Sequence, residues 1–317
     1  MKHSSVLKLM VATAVACGSV SRAAAEPPDW ITSADRIVFV GDSITYAGHY
    51  VTRIEARLLA ADPDSAPEII NVGLPSETCS GLSEPDHPFP RPDVHERLDR
   101  LLVATEPDVV VACYGMNDGI YHPFDETRFA AYKKGVNRLI EKVRASGAKL
   151  VLMTPPPFDP LPLRDRDVLR PAGAEKYAWF AVYEDYDDVL KRYAAWILGQ
   201  RERVAMVIDL HTPINSALAE ARAGDPKYTM AGDGIHPNMD GHKILAATII
   251  HAWSLEGDAK ASQRVVGLLG QRQQLLRDAW LSHVGHERPG IKAGLPLDEA
   301  TTQAAQLLDQ IAEEVQD

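Results

Sequence analysis

Five short apolar runs recur along the chain: RIVFVG (36–41), EIINVG (68–73), DVVVACYG (108–115), KLVLMTP (149–155) and RVAMVIDL (203–210). They are rich in Val and Ile and lack the polar alternation of a half-exposed sheet, so they predict strands buried on both faces. Between them the apolar period lengthens. Val51, Ile54, Leu58 and Leu59 keep helical spacing after the first run, and PDVHERLDRLLVATEP follows the second. DETRFAAYKKGVNRLIEKVRASG follows the third and ends at a glycine, and YDDVLKRYAAWILG follows the fourth. NMDGHKILAATIIHAW comes after the fifth, beyond a loop and a short helix. Strand–helix alternation of this kind predicts a parallel sheet covered by helices on both faces. Right-handed crossovers then narrow the topology to a doubly wound α/β fold with five strands.

Two regions leave this pattern. Residues 155–185 are irregular and open with PPPFDPLPLRDRD, and long loops in compact domains usually carry function or are disordered. Residues 258–317 hold two further helical patterns, one through Val265, Leu268, Leu269, Leu275, Leu276 and Trp280 and one through Ala304, Leu307, Leu308, Ile311 and Val315, separated by GHERPGIKAGLP. The expected organisation is an α/β domain over 26–257 with a C-terminal helical extension, 258–317, packed on it.

Residues 1–25 read as a signal peptide. Lys2 and Lys8 supply the basic start, LMVATAVACGSV the apolar stretch, and AAA at 23–25 a cleavage site before Glu26. The expectation is a secreted or periplasmic protein; AVAC offers lipoprotein processing at Cys17 as the weaker alternative. No later run is long and apolar enough to span a membrane. Removing residues 1–25 takes away Lys2, Lys8 and Arg22 and no acid, so the formal charge moves from −11 to −14. Such a surface repels phosphate backbones and argues against a nucleic-acid partner. Of three cysteines, Cys79 and Cys113 remain after cleavage. They make no metal-ligand spacing, so neither a metal nor another cofactor is expected. A bridge between them is left open.

Candidate chemistry collects where strands end. GDSIT (41–45) follows the first run, NVGLPSETCSGL (71–82) the second and YGMNDG (114–119) the third, while GDGIHP (232–237) precedes the last helix of the α/β pattern. In open parallel sheets, ligands bind beyond these C-terminal strand ends. A hydroxyl, an amide, a carboxylate and an imidazole are thereby directed to one rim.

The blocks GDSIT, NVGLPSET, GMND and DGIHP resemble the SGNH hydrolases, also called GDSL esterases and lipases, in order and placement over roughly residues 36–253. The resemblance implies a three-layer α/β/α flavodoxin-like sheet and a serine hydrolase that cleaves carboxylic esters, which the signal segment would make a secreted one. It assigns Ser43 as nucleophile, His236 as general base and Asp233 as the acid that orients it. Such a hydroxyl needs a neighbouring imidazole to take its proton, and the imidazole needs an acceptor on its other nitrogen. It assigns the oxyanion hole to the Ser43 and Ser76 backbone N–H groups and the Asn117 amide. The chain departs from the family at Ser76, where a glycine is usual, so Gly73 stands as the rival donor.

The remaining polar residues have plainer readings. Asp42 and Asp118 fit turn braces, and Asp209 is a rival triad acid that lacks the family spacing. His49, His122, His211 and His242 read as surface or packing residues, His49 lying near enough in sequence to touch substrate. Arg91 and Tyr121 are candidate substrate contacts, Arg91 otherwise being a solvated arginine before a helix. Trp179, Phe180, Tyr183 and Tyr186 offer either a sugar-stacking or acyl wall or ordinary packing. The substrate expected is a small-molecule or carbohydrate ester, with short-chain or acetyl groups favoured by analogy alone. A lipase, lysophospholipase or thioesterase is the alternative within the family, and a non-catalytic carbohydrate-binding protein the alternative outside it. A metal-dependent phosphoesterase would require a carboxylate cluster that these motifs lack. The oligomeric state has no sequence signal.

Overall fold

Val38, Phe39 and Val40 in the first strand, and Val109, Val110 and Val111 in the third, are wholly buried, as strands covered on both faces require. The computed structural model describes residues 26–257 and 261–316. The expected signal segment, its cleavage site and Cys17 lie outside the described residues, as do 258–260.

A short helix α1 (Asp29–Thr32) leads into β1 (Arg36–Gly41), α2 (Ser43–Ala47), α3 (His49–Ala61), β2 (Glu68–Asn71), α4 (Val94–Thr105), β3 (Val109–Cys113), α5 (Glu126–Ala145) and β4 (Lys149–Met153). A small parallel pair, β5 (Leu169–Arg170) and β6 (Val182–Tyr183), lies within the proline-rich region. Then come α6 (Tyr186–Leu198), β7 (Met206–Ile208), α7 (His211–Gly224), α8 (Met239–Ala252), α9 (Gln263–Val284) and α10 (Leu297–Gln316). All five expected strands form one parallel sheet in the order β2-β1-β3-β4-β7. The chain reverses direction between β1 and β3, which opens a crevice beyond their C-terminal ends. Helices flank the sheet. α3 packs with α8 and α9, and α4 packs with α5. The helix between β7 and the last block is longer than expected, at 14 residues.

α9 is bound to the sheet's β2 edge, and α10 packs on α9. Leu269, Leu276, Ala279 and Leu281 of α9 are buried. Gln273 Nε2 donates to the Ile69 carbonyl of β2 at 3.0 Å and to Glu55 Oε2 at 2.7 Å, and Arg272 pairs with Glu55 Oε1. An edge strand presents unpaired backbone groups, and α9 covers this one. Cys79 and Cys113 are buried free thiols, which closes the question of a bridge between them. No helix among the described residues is long and apolar enough to cross a membrane.

Candidate active site

Gly41 ends β1, and the chain turns at once into α2, so Ser43 is the first residue of a helix at the crevice. Asp42 caps that helix, its Oδ1 accepting from Ile44 N at 2.9 Å. This is the brace the sequence suggested. Burial pushes the Asp42 carboxyl up to about 7, against the Ile44 hydrogen bond and the nearby His236, which favour its charge.

The turn between α7 and α8 supplies the facing groups. His236 Nε2 lies 2.8 Å from Ser43 Oγ, and His236 Nδ1 lies 2.6 Å from Asp233 Oδ2. The other oxygen of Asp233 accepts from Ile235 N at 3.0 Å and His236 N at 2.8 Å, closing an Asx turn. Gly234 makes the turn possible, with φ +78° and a Cβ position only 2.7 Å from the Asp159 carbonyl. Asp159 anchors this turn from the proline-rich loop: its N–H donates to Gly234 O at 2.9 Å, and its Oδ2 accepts from Arg222 at 2.6 Å and Thr229 at 2.8 Å.

His236 and Asp233 are about half exposed, at 48% and 51% of their side-chain surfaces. Burial opposes charge on both, and the contact between them outweighs it. Asp233 is held well below the usual carboxylate range, and His236 is raised above 6.5 by Asp233 and, more weakly, by Asp42.

The opposite wall is built differently. Asn117 is buried, and its Oδ1 accepts from Arg91 Nη1 at 3.0 Å and Tyr121 OH at 2.9 Å. A guanidinium can only donate, so the atom facing it must be the amide oxygen, and the amide nitrogen points the other way. One Asn117 N–H reaches Glu77 O at 3.1 Å, leaving the second for a ligand. Ser76 has φ +68°, the left-handed region that glycine prefers. The backbone therefore keeps the shape of a glycine loop with a serine in it. Gly73 N donates to Asn71 Oδ1 at 2.9 Å, so that N–H is already taken, whereas the Ser76 and Ser43 N–H groups have no acceptor among the described residues.

Two buried ion pairs lock this wall. Glu84 takes both Arg91 Nε and Nη2, at 2.6 and 2.7 Å, and Arg91 Nη1 also approaches Ser76 O at 3.4 Å. Glu77 takes Arg97 Nε and Nη2, both at 2.7 Å, and Tyr114 OH at 2.6 Å. Asp118 braces the same loop by accepting from Cys79 N at 2.8 Å and Ser80 N at 2.7 Å.

Ser43, Ser76, Arg91, Asn117, Tyr121, Asp233 and His236 all line one cavity of about 500 Å³. Arg91 is not the solvated residue of the plainer sequence reading. Its guanidinium is buried and, like the Tyr121 hydroxyl, is committed to Asn117. Trp179 and Phe180 stand exposed at the cavity's edge, at 49% and 38%. Tyr186 belongs to the core, its hydroxyl donating to Met116 O at 2.7 Å, and neither it nor Tyr183 lines the cavity. Asp209 lies elsewhere, accepting from Thr154 Oγ1 at 3.2 Å and His211 N at 3.0 Å. His49 packs its ring against His242 and is also outside the cavity. Glu84, Glu77, Arg97 and Asp159 went unread in the sequence, since nothing local in FPRPD or HERL says which distant acid each arginine will meet. A hollow of about 690 Å³ between Trp30, Leu102 and Lys149 lies at the other end of the strands; Ser33 and Ser146 line it, but no histidine does. No group of three or more metal-ligating side chains occurs among the described residues.

A model of the GDSL-like Lipase/Acylhydrolase family matches residues 39–244. An acetylxylan esterase from Geobacillus stearothermophilus is 23% identical over 241 residues, 71% of this chain and 97% of that protein. Among solved structures, a catalytic mutant of an acetylxylan esterase from the same organism aligns with TM-score 0.52 and 20% identity, over 74% of this chain and 99% of that one. A gut microbial diltiazem-metabolizing enzyme aligns with TM-score 0.57 and 21% identity over 74% of this chain; the match spans 49% of that longer protein. At these identities the structural likenesses concern the fold.

Proposed function

The chain belongs to the GDSL-like lipase/acylhydrolase family and is a carboxylic-ester hydrolase, and from that premise we propose that Ser43, His236 and Asp233 act as its catalytic triad. The observation that carries the reading is the unbroken chain of contacts from Ser43 Oγ through both His236 nitrogens to Asp233, at 2.8 and 2.6 Å. In the first half-reaction Ser43 Oγ attacks the ester carbonyl carbon while His236 Nε2 takes its proton. The carbonyl oxygen becomes an oxyanion that the Ser43 N–H, the Ser76 N–H and the Asn117 amide receive. Each such donor lowers the barrier by about 3 kcal/mol. Collapse expels the alkoxide, which takes the proton from His236, and leaves an acyl group on Ser43. Water then repeats the sequence, giving its proton to His236 and releasing the carboxylic acid. Asp233 stays ionised throughout and holds the imidazole in the tautomer that presents a bare Nε2 to Ser43.

We read the substrate as a short-chain ester, in particular an acetyl group on a saccharide. The likeness to an acetylxylan esterase supports this, as do the exposed faces of Trp179 and Phe180, which offer a sugar ring a stacking surface. A p-nitrophenyl ester series from acetate to palmitate tests it. Activity should be greatest on acetate and fall with chain length. A maximum at palmitate would move the reading to a lipase, and no hydrolysis of any member would overturn it.

A further inference from the structure

The charge lining the cavity does not match the rest of the molecule. The whole chain carries −11, yet among the described residues Asp233 is the only acid that lines the cavity, and it is bound to His236. Arg91 lines the cavity too, but Glu84 neutralises it. Two further arginines have no such partner: among the described residues neither Arg166 nor Arg288 makes an ion pair. Arg166 comes from the proline-rich loop, is exposed, and is tied to the fold only through its backbone. Arg288 comes from the segment between α9 and α10, outside the span matched by the family. It is half-buried over the Phe89 ring, 4.8 Å from its centroid, with Nε donating to Pro75 O at 3.2 Å, Nη1 donating to Pro289 O, and Nη2 left without an acceptor among the described residues. Burial disfavours the Arg288 charge, and no carboxylate offsets this. His87, beside it, is driven toward its neutral form by burial and by the Arg91 and Arg288 charges.

Arg288 could be read as a strut that ties the C-terminal segment to the Pro75–Ser76 turn. A strut uses the Nε edge and gives no reason for a second unpaired guanidinium on the same cavity. Two guanidinium groups without a carboxylate partner, Arg166 with its whole head open and Arg288 with its Nη2 edge, fit beside an aromatic edge a ligand that joins a ring to a planar anion. Building on the saccharide-ester reading above, we propose that Arg288 and Arg166 form a carboxylate subsite, so that the preferred substrate is an acyl ester of an acidic, uronic-acid-type sugar. The C-terminal extension thereby supplies a specificity residue as well as cover for the sheet edge.

The test is equilibrium binding of methyl glucuronoside and methyl glucoside to the full chain. The two differ only in carrying a carboxylate or a hydroxymethyl group. At low salt the acid sugar should bind about tenfold more tightly, as a charge-assisted contact implies, and the preference should shrink as salt is added. Arg166→Gln should reduce the preference, and the Arg166→Gln, Arg288→Gln pair should abolish it, while Arg288→Lys should keep most of it. Arg166→Gln removes no contact that the fold uses, so a folding defect at Arg288 would not blunt the test. Equal affinity for the two sugars, a preference that survives the double substitution, no measurable binding of the acid sugar, or inorganic sulfate competing as well as the acid sugar would each overturn the proposal. Binding needs no turnover, so the result is independent of whether Ser43 is the nucleophile. That assignment is tested by hydrolysis of a neutral ester.

Discussion

The wall that carries Ser76 and Asn117 is buried and cross-tied by the Arg91–Glu84 and Arg97–Glu77 pairs, whose side chains are at most 2% exposed. The turn that carries Asp233 and His236 stands half in water and is held mainly by hydrogen bonds among four consecutive residues and by Asp159. The proposed chemistry accounts for the difference. Oxyanion donors act by being fixed before charge develops, and buried, doubly bonded guanidinium groups fix them. An imidazole that must gain and lose a proton in each half-reaction is better left near solvent, where charging it costs less. One wall is therefore built for rigidity and the other for proton traffic.

The largest effect should come from removing the proton path. Ser43→Ala and His236→Ala should each lower kcat/KM on p-nitrophenyl acetate by about 10⁴-fold or more, with the double variant little worse than either single one. Because both side chains reach solvent, the melting temperature should barely change. A double variant far slower than both singles would mean the two residues do not act as one unit. The pH profile sharpens the same point. The base must be neutral, and Asp233 and Asp42 hold the His236 proton against the effect of burial. The acid limb of kcat/KM should therefore fall above 6.5, with about a tenfold loss for each further pH unit below it. Asp42→Asn keeps the helix cap and should move that limb downward.

Next in size is a break in the rigid wall. Arg97→Met strands Glu77 as an unpaired buried charge, and the expected loss is about 3–5 kcal/mol of folding stability in urea unfolding. The turnover number should fall as well, since the Glu77 carbonyl positions Asn117. The exposed pair Lys243–Asp240, near the other wall, is the control: Asp240→Ala should leave the urea midpoint almost unchanged. If the two substitutions destabilise equally, the contrast between the walls is not one of burial.

The same contrast divides what could be read from the chain. The strands and the Asp233–His236 turn are local signals, written in apolar runs and a three-residue spacing. The fixed wall is not local. Glu77 meets Arg97 across 20 residues, and Asn117 meets Arg91 across 26, so only the fold brings them together. Arg288 is more remote still: it touches Pro75 across 213 residues, from a tail whose helical pattern announced packing and nothing else. Ser76 lies between these cases. Its place in the loop was legible, but whether a serine could hold it depended on a dihedral angle that sequence does not state.

That angle sets the smallest effect. At φ +68° a serine carries roughly 1–2 kcal/mol of left-handed strain. Glycine would relieve it, at a cost of about 0.4–1 kcal/mol through the greater freedom of the unfolded chain. Chain freedom alone would make Ser76→Gly slightly destabilising; with the strain included, the substitution should stabilise by about 0.5–1 kcal/mol, visible as a small rise in melting temperature. Activity should stay within about twofold, because the N–H is still there. Ser76→Ala keeps both the strain and the N–H, and the Ser76 hydroxyl makes no hydrogen bond among the described residues, so stability and kcat/KM should hardly move. Proline cannot reach a positive φ and has no N–H, so Ser76→Pro should lose activity, misfold or both. A tenfold loss in Ser76→Ala would show instead that the hydroxyl itself meets the transition state. A stability loss in Ser76→Gly would show that the loop, braced by Arg91 and Asp118, bears no strain at this residue.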